Sequence, residues 1–464
     1  MFSRKRPART ANRTFLRVEC LEDRLVPAGN VHAALLFGTL TLTGDPQANH
    51  IAISQPAFGE LTITPESGTT VNGQAGPVTF SGVSGDLNIN LDKGPDEVDF
   101  DLSQPISLPG NLNINYAATG GDGAKTTQTI NATHNYLTVA GHLLIRYAPG
   151  DVTTHLDNVN VGGNLTVSHG VGDSVFTVDN VAGPGAFSTV GWAVTVNNTQ
   201  GMAQNSLFDT NVLGSVAFSN GLARPSDHNA GFNQIYNVEN TATLATIGGS
   251  VAFSNAAGTS ATGDKLGDVD VKGQVTMALG PGTFKAAVQS VNVHQAPVIE
   301  SRLIISGTGS DNIALGKAGI GLQVDGRLNL QAGSRGDQLD LEDVQVGRAA
   351  SIATGAGDDT VTIDGGSGSL GSVFTGPFSL TTGAGADTVR IASGAGGGAT
   401  VFKGSVQAGL GVGADALFLA TSGTVRFEAP TSTPVVFDGG PGADTETFVL
   451  GHLPDRVPTF LRFI

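Results

Sequence analysis

Apolar residues in this chain fall on alternate positions in short runs, as at Leu87, Ile89 and Leu91, or at Leu328 and Leu330, with polar or small residues between them. A period of two is that of a strand with one buried face. The runs are brief and glycine interrupts them, whereas apolar spacing of helical period is nearly absent. An all-β chain of many short strands is expected.

The runs repeat. An apolar residue, a spacer, Gly, a spacer and two alternating apolar positions recur in "VSGDLNI" (83–89), "LPGNLNI" (108–114), "VGGNLTV" (161–167), "IGGSVAF" (247–253), "VDGRLNL" (324–330) and "FTGPFSL" (374–380). Neighbouring copies stand 22 to 35 residues apart, with longer gaps of about two periods. A second element follows the first: "GTGSDNIAL" (307–315), "GAGDDTVTI" (355–363), "GAGADTVRI" (383–391) and "GVGADALFL" (411–419) share G-x-G-x-D-x-apolar-x-apolar, and "GSRGDQLDL" (333–341) and "GPGADTETFVL" (440–450) are looser copies. The order strand, glycine-rich corner with Asp, strand describes one coil of a solenoid whose inward residues stack on those of the next. A right-handed parallel β-helix (β-solenoid) of about a dozen coils, roughly 60 Å long at the spacing of paired strands, is expected. A string of antiparallel sandwiches would repeat at about 100 residues, far above the period seen.

Composition supports a folded rod. Gly supplies 66 of 464 residues, which suits many corners, and 39% apolar content with 14% charge argues against disorder. The formal charge is −16, and Arg4, Lys5, Arg6, Arg9, Arg13 and Arg17 precede the first acid, Glu19, so the body is more acidic than the whole. Such a surface disfavours nucleic acid and suits divalent cations or a soluble surface protein. Cys20 is the single cysteine, so no intramolecular disulfide forms. No apolar run reaches transmembrane length, and "VHAALLFGTLTL" (31–42) reads better as a first strand than as a signal segment. The expected organisation is a basic sorting segment over 1–30, a cap and first coils over 31–80, a repeat body over 81–450 and a C-terminal cap over 451–464.

"LRVECLEDRLVPA" (16–28), behind the basic leader, resembles the LEPR-XLL type N-terminal motif of large bacterial extracellular and cell-surface proteins, through Leu21, Glu22, Asp23, Arg24 and Leu25. Asp23 stands where the motif has proline, and Val26 where it has its final leucine. The resemblance covers about a dozen residues and implies export; it says nothing of the body's activity.

The G-x-G-x-D copies resemble the glycine-rich nonapeptide of RTX calcium-binding proteins, which implies Ca²⁺ held by carboxylate and backbone oxygens. The candidate ligands are Asp311, Asp337, Asp359, Asp387, Asp415 and Asp444. They stand 26, 22, 28, 28 and 29 residues apart, unlike the direct tandem of that family. Spaced so, they fit one corner of successive coils, where Asp is also a common turn residue in its own right. Both readings, a turn and a cation corner, stay open on the residues alone.

Other chemistry is thinly supplied. "SRGDQLDLEDVQVGR" (334–348) offers Arg335, Asp337, Asp340, Glu342, Asp343 and Arg348 as acid/base candidates for a carbohydrate-active β-helix, provided they converge. One Trp and four Tyr leave little for sugar stacking. His142, His155 and His169 lack any zinc-ligand pattern and read as solvated strand or loop residues. Asn131, Asn164 and Asn197 of the Asn-x-Thr triplets read as turn or stacking residues. No catalytic residue is assigned. The expected function is an exported structural or adhesion protein of a bacterial surface or matrix, meeting surface or matrix polymers or proteins, with candidate Ca²⁺ corners. The alternatives are a polysaccharide-cleaving β-helix enzyme and a secreted calcium-dependent module.

Overall fold

The computed structural model describes residues 29–463 except 95, 118–125, 131–134, 182–185, 224–230, 239–242, 261, 292–294 and 396. The sorting-motif residues Leu21, Glu22, Asp23, Arg24 and Leu25 and the triplet at Asn131 lie outside the described residues.

The chain is a parallel β-helix. Each coil contributes one strand to each of three sheets, as the coil of Leu322–Val324, Leu328–Gln331 and Gln338–Glu342 does. The next coil pairs with it in parallel and in register: Leu322 lies against Val344, Leu328 against Ala350 and Gln338 against Thr360. Among the described residues the first sheet has 18 strands and the third 13, and the second runs beside them from Glu97–Phe100 to Thr445–Phe448. Thirteen strands stacked at the spacing of hydrogen-bonded neighbours make a body roughly 60 Å long. The expected all-β solenoid of about a dozen coils is the fold observed.

The alternation seen in the sequence is the alternation of burial. Val251, Phe253 and Asn255 point inward from Val251–Asn255, while Ala252 and Ser254 are exposed. Because register holds from coil to coil, like residues stack on like. Phe218 lies face to face with Phe253 at 5.6 Å between ring centres, and Phe374, Phe402 and Phe427 form a second column at 5.2 and 5.6 Å. Near-parallel rings at these separations are a favourable aromatic geometry.

The ends differ from the middle. Asn30–Leu36 and Thr39–Thr43 form an antiparallel hairpin, and Glu60–Pro65 pairs antiparallel with both His50–Ser54 and Val78–Ser81. At the other end a short 3-10 turn, Leu450–His452, leads to Thr459–Leu461, which covers the edge of Val435–Asp438. Phe448, Phe460 and Phe463 pack together there. Among the described residues no helix is long and apolar enough to cross a membrane.

Two polar features of the interior were not anticipated. A left-handed residue joins the second sheet to the third: Asn158, Asp209, Asp268, Asp343 and Asp364 all have φ between 43° and 57°. Asn and Asp tolerate that conformation because their short side chains bond the local backbone. The other feature is a zigzag of buried amides between the first and second sheets. Asn198 donates to Asn205 and Asn220, Asn205 to Asn220 and Asn233, Asn220 to Asn233 and Asn255, at 2.7–3.2 Å. Asn233 and Asn255 then donate to the two oxygens of Asp264 at 3.1 and 2.7 Å. His169 abuts the start of this chain. It is buried, bonds Asn198 and is held neutral by burial, its pKa lowered to about 4, which corrects the expectation of a solvated residue.

Candidate functional site: the aspartate corner

The corner between the first and second sheets is built from two glycines and an aspartate per coil. In Gly355, Gly383 and Gly411 φ lies near +100°, in the region only glycine enters freely. The second glycines, Gly357, Gly385 and Gly413, also have positive φ. Stacking adds a second demand. A Cβ on Gly383 would run into the carbonyl oxygen of Gly355, and one on Gly411 into that of Gly383. The two glycines of the motif therefore form two axial rows with no room for a side chain.

Asp follows at the inward position that opens the second-sheet strand: Asp311 lies in Ser310–Gly316, and the other five stand immediately before theirs. Asp311, Asp337, Asp359, Asp387, Asp415 and Asp444 form one row, and each is between 0 and 3% exposed. The row is joined by five hydrogen bonds. The backbone N–H of Asp311 donates to Asp337 Oδ1, that of Asp337 to Asp359, of Asp359 to Asp387, of Asp387 to Asp415 and of Asp415 to Asp444, at 2.6–2.9 Å. The carboxylates of Asp337, Asp359, Asp387, Asp415 and Asp444 thus each cap an amide that the sharp corner has removed from its strand ladder, while that of Asp311, at the start of the row, caps none. The sequence placed these six residues in one row. It did not reveal that they point inward.

Both oxygens of Asp311 and one oxygen of each other member are not used in these bonds. Asp337 Oδ2 accepts from the Gly333 N–H at 3.1 Å, and Asp359 Oδ2 from the Thr354 hydroxyl at 2.5 Å. Oδ2 of Asp387, Asp415 and Asp444, and both oxygens of Asp311, are buried without a hydrogen-bond partner. Four members of the row resist ionisation. Burial, reinforced by the charge of Asp337, raises Asp311 to about 7; burial and the charge of Asp359 raise Asp337 to about 6; burial also raises Asp359, and raises Asp415 to about 6. Neighbours one coil apart would repel by about 1 kcal/mol even in bulk water. Asp311, Asp337, Asp359 and Asp415 therefore keep their protons to higher pH than free carboxylates do, and where neighbours interact the protons belong to the coupled set.

Whether this donor set fits Ca²⁺ turns on convergence. The ligand chemistry suits a hard cation, since the unpartnered oxygens are carboxylate and the glycine corners bring backbone carbonyls close. Among the described residues, however, no three Asp, Glu, His or Cys side chains gather about one point. A cation would draw on single oxygens of adjacent coils together with main-chain carbonyls.

The acid/base candidates of 334–348 are spread around one coil. Arg335 is exposed in the glycine corner, Asp337 lies in the buried row, and Asp340 is on the outer side of the second sheet. Glu342 is covered by the 365–366 backbone, accepting from the Gly366 N–H at 2.6 Å, and burial raises it to about 7. Asp343 is the left-handed corner residue and accepts from the Gly371 N–H at 2.8 Å, while Arg348 stands at the opposite corner. His142 accepts from the Asn164 N–H, and His155 pairs with Asp157 at 3.0 Å, which raises its pKa. Asn164 accepts from the Ala193 N–H, a stacking role between coils.

Comparison of the chain with protein-family models, with curated proteins and with solved structures finds no match.

Two outcomes follow from this corner. Gly383→Ala should destabilise the fold by more than about 1 kcal/mol in urea unfolding, because it is strained and blocked, whereas Gly409→Ala, with open space around it, should change little. The second concerns pH. Asp264, Asp311 and Glu342 are raised to about 7, and Asp179, Asp337 and Asp415 to about 6, chiefly by burial. Folded-state values above the unfolded ones give stability that is complete below about pH 4 and is lost as pH rises through 6 to 7. His169, lowered, acts with the opposite sign between about 4 and 6.5, but it is one group against six. In EDTA the thermal midpoint should be higher at pH 5.5 than at pH 8; a midpoint that rises toward pH 8 would contradict the proton-holding corner.

Proposed function

We propose that this chain is an exported, acidic structural rod of a bacterial surface or extracellular matrix, offering its long lateral faces for adhesion. The observation that carries the reading is that corner residues with chemical potential are spent on coil-to-coil stacking: the aspartates cap amides, the glycines clear space, and the carboxylates of 334–348 face different sides of one coil. A catalytic pair needs two groups on one reacting bond. Dispersal of this kind favours a scaffold over the polysaccharide-cleaving alternative. The leader's resemblance to a cell-surface motif and the net charge of −16 support export and solubility. Fractionation of producing cells, with an antibody to the purified chain, should place the protein in the surface or extracellular fraction; confinement to the cytosol would overturn the proposal.

Ca²⁺ at the aspartate corner remains the second reading, favoured by the unpartnered Oδ2 atoms of Asp387, Asp415 and Asp444. Binding to the folded state alone raises stability, by about 2.7 kcal/mol at a hundredfold excess over Kd. At pH 8 the thermal midpoint should then rise on adding Ca²⁺ in place of EDTA, and the rise should shrink in Asp387→Asn. Equal midpoints with Ca²⁺ and with EDTA would leave the row as a turn that carries protons.

A further inference from the structure

The turn joining the third sheet to the first carries a cluster of opposite sign to the rest of the rod. Arg302, Arg327 and Arg348 occur there in three successive coils; Arg302 and Arg327 precede the paired residues Leu303 and Leu328, and Arg348 donates its backbone N–H to Gly326. All three side chains are exposed. They line a cleft of about 440 Å³ together with Glu300, Ser301 and Asp325. Arg302 and Arg327 also wall a second hollow of about 310 Å³, which continues onto the outer face of the first sheet beside Asn329 and Ser351. One groove thus runs from the turn across short polar side chains.

No carboxylate pairs with these three guanidinium groups among the described residues. The two acids of the cleft are engaged elsewhere. Glu300 binds Lys272 at 2.7 Å, and Asp325 accepts from Gln323 at 2.7 Å. Arg302 reaches only the Gln274 side-chain oxygen. Three cations about one coil spacing apart repel one another, and in a chain of net charge −16 their partners would be easy to supply internally.

We infer that this groove binds an acidic polysaccharide of the uronate type, with its carboxylates on Arg302, Arg327 and Arg348. Guanidinium forks match planar carboxylates in bidentate fashion, and Asn329 and Ser351 offer hydrogen bonds to sugar hydroxyls. Spaced single charges also suit a cleft that contains Glu300 and Asp325. A nucleic acid brings denser charge to an acidic body, and no aromatic side chain lines the groove for a base to stack on. The inference names a partner chemistry for the adhesion reading and rests on it only for where the polymer is met.

Calorimetric titration of the purified full chain with a short oligogalacturonate at low ionic strength tests it. Binding is expected, weakening as NaCl is added and falling at least tenfold in Arg302→Gln/Arg327→Gln. Lys285→Gln, an exposed charge on the second sheet, should bind as the parent does. Circular dichroism of each variant checks that the rod is folded. Absence of binding at low salt, an equal loss in Lys285→Gln, or equal competition by single-stranded DNA would each overturn the inference. Because the titration uses isolated protein, its failure leaves export untouched, and a cytosolic location would leave a positive titration standing.

Discussion

Register between coils is the constraint from which the rest of this molecule follows. Parallel pairing returns the chain to the same position at each turn, about 4.8 Å further along the axis. Every residue then has its own equivalent as nearest neighbour, and each position must tolerate a column of like residues. Phenylalanine does so by stacking, glycine by leaving space, and asparagine by donating to one neighbour while accepting from another. Aspartate is the exception, because a column of like charges opposes itself. It persists at the corner by giving one oxygen to the amide of the adjacent coil, and burial raises Asp311, Asp337, Asp359 and Asp415 so that they keep protons longer than free carboxylates do.

The buried amide zigzag shows the same constraint satisfied in a different way. A primary amide offers both donors and acceptors, so a column of amides can extend without an unpaired member. Direction matters at its ends. The side-chain donors from Asn198 onward point toward the C-terminal coils, and the column must finish on an acceptor that needs no donor of its own. Asp264 fills that place, and the following inward position is Ala286, where the core becomes apolar. At the other end the Ser174 hydroxyl donates to Asn198, which closes the network against His169. Pairing of every amide in the column is what makes such a polar interior tolerable, since one unpaired amide at low dielectric is costly; His169 Nε2, at the start of the column, is the ring atom buried without a partner.

Much of the fold was legible because a solenoid writes its register into the sequence as repetition. The copies of V-x-G-x-apolar-x-apolar marked the first-sheet strands, and G-x-G-x-D marked the corner and the row of six aspartates. Facing was harder to read. Asp359 follows Asp358 in "GAGDD", and nothing in that string tells which of the two turns inward. The amide column left a signal that a longer motif would have caught: Asn220 and Asn255 each stand two residues after the phenylalanine of "SVAF", on the buried phase of the alternation. The left-handed corner was also written, as Asn or Asp before a V-x-V run or its like at Asn158, Asp209, Asp268 and Asp343. A polar residue beside a strand reads as a surface turn unless its partner one coil away is known, and that partner is supplied only by the register.

The charge pattern of the rod gains meaning from where its acids sit. Of the carboxylates that give the chain its net −16, the six of the corner row are buried, and Asp311, raised to about 7 by burial, keeps part of its proton at neutral pH. Arg302, Arg327 and Arg348 keep a local positive face although the protein as a whole is acidic, because they lie together on one turn with no carboxylate paired to them among the described residues. An acidic rod can still present a basic groove to an acidic polymer from the side, because the three arginines are gathered on one turn. The same coil repeat that forces the aspartates into a column also sets the arginines about one coil apart, so the inner row and the outer groove are both products of a single register.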